Sequence, residues 1–130
     1  MPSIREHTKA TTENIKVASR VAQRIYKTGE TEKSAEEKVA IQATKNSLKD
    51  LMVQILREKD RGVMTGRIHE ALRHAHPRTD YYSKYKMVRD IADICVTLDV
   101  IVSGAVNKRT GLHKSLLETH NFCSTFADGD

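Results

Sequence analysis

The sequence predicts an all-α protein: an antiparallel bundle of four to five helices whose two long N-terminal helices form a hairpin, assembled as a dimer. Two observations carry this. Apolar residues recur at three-four spacing through long stretches, the periodicity of a helix with one buried face. No segment alternates polar and apolar with the period of a strand, and only two prolines interrupt the chain.

In the first helix Ile4, Thr8, Thr11, Ile15, Ala18, Ala22 and Ile25 share one face, and the pattern runs to about Lys27. Gly29 then supplies the residue type that tolerates the left-handed conformation at a helix end. Ser34 and Glu37 form an S-x-x-E capping box, in which each side chain satisfies the other's free backbone amide, so a second helix starts there. Its inward face is Ile41, Leu48, Leu51, Met52, Ile55 and Leu56, and it ends near Gly62.

A short third helix covers 65–75, with Ile68, Ala71, Leu72 and Ala75 inward. Pro77 stops it by biasing His76 away from helical angles. Thr79 is placed to cap a fourth helix over 79–107, with Tyr81, Tyr85, Val88, Ile91, Cys95, Leu98 and Val102 on one side. Met87, Ile94 and Ile101 widen that stripe, which implies several neighbours. A last helix holds Leu112, Leu116 and Leu117. The domain is expected to span 1–123, with 124–130 a mobile tail that has nothing to pack.

At 130 residues the chain is long enough to bury one core unaided. Charged residues make up 30% of it and the net charge is +5, an excess that favours anionic partners. Cys95 and Cys123 stand far apart in no metal-type spacing, which points to a reducing, intracellular setting, cytoplasmic or nuclear. Residues 1–10 lack the apolar stretch of a secretory signal. The most apolar run, 94–106, is too short for a membrane span, so no membrane partner is expected.

Catalytic patterns find little support. The run from His69 to His74 approaches the H-E-x-x-H zinc motif, but its fifth position is Arg73. His74 lies roughly 140° around the helix from His69, so the two rings cannot share a metal. His69, His74 and His76 therefore read as a polar face, with no metal and no cofactor expected. No phosphate-binding loop, dinucleotide fingerprint or nucleophile elbow occurs. Asp90 and Asp93 point to the polar side, whereas Asp99 falls in the apolar arc and calls for a basic partner from a neighbouring helix. The chain is not expected to be an enzyme.

The informative feature is charge. Arg5, Lys9, Lys16, Arg20, Arg24 and Lys27 fall within an arc of roughly 100° opposite the apolar face of the first helix, along about 33 Å. That length is comparable to one turn of a nucleic-acid duplex. Lys38, Lys45 and Lys49 add a second row on the second helix, which would flank the first in an antiparallel hairpin. Phosphate recognition needs long cationic side chains at repeated spacing. Tyr81, Tyr82 and Tyr85 lie on another helix, which favours backbone contact with a duplex over base stacking.

The expected function is non-enzymatic binding of duplex RNA or DNA by a homodimer. The alternative is a helical adaptor or regulator that binds another, acidic, protein through its bundle surface. The hairpin with a cationic long face and the Met1-Pro2-Ser3 start are similar to the small dimeric silencing suppressors of insect nodaviruses. Those proteins lay helices along double-stranded RNA. The similarity is one of architecture and transfers no residue roles.

Overall fold

The computed structural model describes residues 4–57, 63–81, 83–104 and 112–128, with the side chains of 12–57, 66–81, 83–104 and 112–127. Five helices appear: α1 (Ile4–Thr28), α2 (Ala35–Arg57), α3 (Val63–Ala75), α4 (Lys84–Ser103) and α5 (Leu112–Asp128). Among the described residues there is no strand.

The apolar face of α1 is spent inside the chain. Ile15, Ala18, Ala22 and Ile25 are buried, and α1 packs against both α2 and α5. That face is therefore not free for a second copy of the chain. α2 packs in turn against α4, α3 against α5, and α4 closes the bundle with a smaller contact to α5. Ser19 meets His120 and Tyr26 stacks on His113, so α1 and α5 run in opposite directions. Arg67 over the Phe126 ring and His76 beside Glu118 show the same for α3 and α5.

Local signals set most of the boundaries. Gly29 ends α1 in the left-handed region with φ 74°, and its N–H returns to the Ile25 carbonyl at 2.9 Å. The capping box forms as the sequence requires: Ser34 N–H donates to Glu37 Oε1 at 2.9 Å and Glu37 N–H to Ser34 Oγ at 3.1 Å. α4 departs from expectation at both ends. Its cap is Ser83, whose Oγ accepts from the Lys86 amide at 3.1 Å, and not Thr79, whose own amide closes a turn onto the His76 carbonyl. It stops at Gly104 with φ 76°, short of residue 107.

The linker this frees lets Tyr81 fold into the core, where its hydroxyl donates at 3.4 Å to the Leu72 carbonyl, which also accepts from the His76 amide at 2.8 Å. Tyr85 and Leu56, expected inward, face out at 78% and 48% exposure. With Ser83 as cap, the buried stripe of α4 begins at Met87, one turn later than the sequence pattern allowed.

The C-terminal expectation is corrected most. Residues from Ser124 onward continue α5 to Asp128, and Phe122, Cys123, Phe126 and Ala127 are buried together with Leu116 and Thr119. These positions extend the three-four spacing beyond Leu117 through a threonine, and the polar residue hid the continuity. Phe126 stacks on Phe122 with ring centroids 5.6 Å apart, and its carbonyl accepts from Arg67 at 2.8 Å. Phe126→Ala should therefore cost about 3–5 kcal/mol in urea unfolding, the range for truncating a buried aromatic. A loss below about 1 kcal/mol would show that this segment does not pack.

Candidate nucleic-acid interface

The cations singled out on α1 and α2 separate into three groups once side chains are placed. Arg24 belongs to the fold. Its guanidinium grips the Glu37 carboxylate with two hydrogen bonds, Nη1 to Oε2 at 2.8 Å and Nη2 to Oε1 at 3.2 Å, and Nη2 also donates to the Glu32 carbonyl at 2.7 Å. The capping carboxylate of α2 thus also pins the last turns of α1 and the linker between the helices. Hydrogen bonds from Arg24, then from the Ser34 amide, hold the Glu37 carboxyl below the usual carboxylate range. The Glu37 hydrogen bonds in turn raise the Arg24 pKa.

The α2 lysines do not flank the α1 row. Lys45, whose side chain is only 12% exposed, pairs with Asp99 of α4, the basic partner that Asp99 called for, although Asp99 itself stays half exposed. Cys95 lies against the Lys45 carbonyl, and Lys49 is close enough to the Cys95 thiol to act on its charge. Lys38 lines an open groove of about 360 Å³ with Thr31, Lys33, Val102 and Ser103. All three lysines therefore run along the α2–α4 junction. Lys33, which the charge pattern did not reveal, is partly buried there. Desolvation, and then repulsion from Lys38 and Arg24, lower its pKa.

What remains is an open face on α1. Arg20 and Lys27 are exposed, and neither has an ion-pair partner among the described residues. Lys16 is half exposed and meets Glu13 only loosely at 3.6 Å. Arg5 and Lys9 lie on the α1 backbone in the same register, with their side chains outside the described residues. No protein-family model matches the chain, and no curated protein or solved structure matches it either.

Several titratable groups elsewhere meet neighbouring elements of the bundle. His69 sits edge-on to the Tyr81 ring at 5.5 Å, His74 is exposed, and His76 lies 3.7 Å from Glu118 of α5. Among the described residues no three His, Cys, Asp or Glu side chains converge. Asp90, expected on the polar side, is buried with Lys86 Nζ at 3.3 Å, and it helps burial push the Tyr81 phenol up. Burial also raises the thiols, Cys95 to about 11 and Cys123 to about 12. His120, which no sequence pattern marked, holds α5 to α1 through Ser19 Oγ at 2.8 Å and the Ser19 carbonyl at 3.1 Å.

Two outcomes follow. Because the folded Glu37 pKa lies below the unfolded value near 4.3, its stabilisation is present above that pH and lost as pH falls through the folded pKa. Glu37→Gln should cost about 1 kcal/mol at pH 7, modest because the pair is partly solvated, and should flatten the decline in stability between about pH 5 and pH 3. A pH profile parallel to the parent's would remove Glu37 as its source. Chelating divalent metal should leave the melting temperature unchanged, whereas a large drop would reveal a stabilising ion.

Proposed function

We propose that the protein works by binding and not by catalysis. Its target is the phosphate backbone of duplex nucleic acid, double-stranded RNA or DNA, reached through the open face of α1. On this reading α1 and α2 act as an antiparallel hairpin in which α2 braces α1 from behind. Arg5, Lys9, Lys16, Arg20 and Lys27 make the contacts. Arg24 is left out because Glu37 occupies it, and the α2 lysines because they turn toward α4.

The observation that carries the reading is the exposure of Arg20 and Lys27, free of carboxylate partners among the described residues, on the side of α1 away from its buried seam. Cations on a purely solvated helix face ordinarily alternate with acids through i,i+4 pairs. Here the one ion pair along that side among the described residues is the loose contact of Lys16 with Glu13. Recognition of this kind reads backbone spacing and not base sequence, so affinity should fall steeply with salt.

Fluorescence anisotropy with duplex RNA and duplex DNA across a salt series tests this directly. The slope of log affinity against log salt should be about −0.9 per phosphate contact, and Lys16→Glu with Arg20→Glu and Lys27→Glu should remove binding. The triple variant should keep its fold, since exposed substitutions cost about 0.5 kcal/mol each. Absence of binding to either duplex at low salt would end the proposal and leave the adaptor reading.

A further inference from the structure

The surface opposite the bundle core on α2 and α4 carries large apolar side chains that the described residues leave exposed. Val53 and Leu56 on α2 are 46% and 48% exposed, and Tyr85 and Val96 on α4 are 78% and 61% exposed. The two helices that carry them pack side by side. Lys45 pairs with Asp99, and Lys38 shares a groove with Val102 and Ser103, so the two helices run in opposite directions. Continuing that register, Leu56 is as far beyond Lys45 as Val88 is before Asp99, which brings it level with the N-terminal turns of α4, where Tyr85 lies. Val53 and Leu56 stand one and two turns beyond Lys49 on α2. Val96 stands one turn before Asp99 on the outward face of α4.

We propose that this outward face of α2 and α4 is the surface through which two copies of the chain pair about a two-fold axis. Size and charge choose that occupant. The four side chains expose on the order of 400 Å² of apolar surface, about half of the ~800 Å² that each partner gives to a standard interface. That share is close to the apolar fraction such interfaces have.

Around them stand Lys49, Asp50, Arg89 and Asp93, all exposed and none in an ion pair among the described residues. Two charges of each sign suit neither a uniformly acidic nor a uniformly basic partner. A two-fold copy presents the same patch reversed, so that each sign can meet its opposite. The duplex-facing side of α1 takes no part, so the inference stands apart from the proposed function.

Sedimentation velocity of the full chain, without nucleic acid, from about 1 to about 500 μM provides the test, a span that covers micromolar to weak association. The expected result is a concentration-dependent monomer–dimer equilibrium. Val96→Lys and, separately, Tyr85→Ala should each weaken it at least about tenfold, as loss of a central apolar or aromatic anchor does. Both sites are exposed, and Lys is the better helix former than Val, so the circular dichroism signal and melting temperature of the variants should match the parent's.

Three results would overturn the inference. They are a parent chain that stays monomeric throughout, a dimer indifferent to both variants, and assembly that passes beyond two copies. A monomer that still binds duplex would refute this interface and leave the α1 reading standing.

Discussion

The structure depends on α1 being buried along two sides at once. Ala18 and Ala22, fully buried, are small enough for α2 and α5 to approach its backbone, while Ile15 and Ile25 fill the space above and below them. A helix gripped from two directions keeps only one strip for solvent. The cations of α1 occupy that strip because no other side is open to them. The same constraint fixes where Arg24 goes: at the edge of the strip nearest α2 it meets the capping carboxylate and joins the scaffold. Fold and candidate interface are thus two results of one packing arrangement.

Burying α1 this way would be costly if the polar groups in the seams had no partners. Most are satisfied locally. The Thr44 hydroxyl donates to the Ala40 carbonyl at 2.8 Å, Ser47 to Ala43 at 3.0 Å and Thr97 to Asp93 at 3.2 Å, each one turn back along its own helix. Such hydroxyls behave as small, nearly apolar side chains and let helices approach closely. Ser19 differs in reaching across to His120 of α5, which adds direction to an otherwise greasy contact. The Thr119 hydroxyl is buried without a hydrogen-bond partner among the described residues, and the structure offers no compensation for it.

Much of this was legible in the sequence wherever a signal is local. Gly29, the Ser34–Glu37 box and the buried positions of α1 follow from backbone conformation and helical period, which neighbouring residues alone determine. The cationic row of α1 is legible for the same reason. What escaped depends on distant residues. The pairing of Arg24 with Glu37 turned a candidate ligand contact into a clamp, and the place of α4 turned the α2 lysines away from α1. Asp99 lies between these cases: its position in the stripe announced a basic partner, and only the fold could name Lys45. The length of α5 was missed because Thr119 breaks the apolar pattern, and Tyr85 was misplaced because an aromatic at the right period reads as core.

The depth of the two cysteines has a practical consequence. Burial hides Cys95 on α4 and Cys123 on α5 from solvent and moves both thiols further from ionisation, and it is the thiolate that reacts. An alkylating reagent can reach either sulfur only in the moments when its helix lifts from the bundle, so labelling measures how often that happens. The native chain carries its own clocks, one in each helix, for the opening of separate parts of the molecule. No foreign probe has to be introduced to read them.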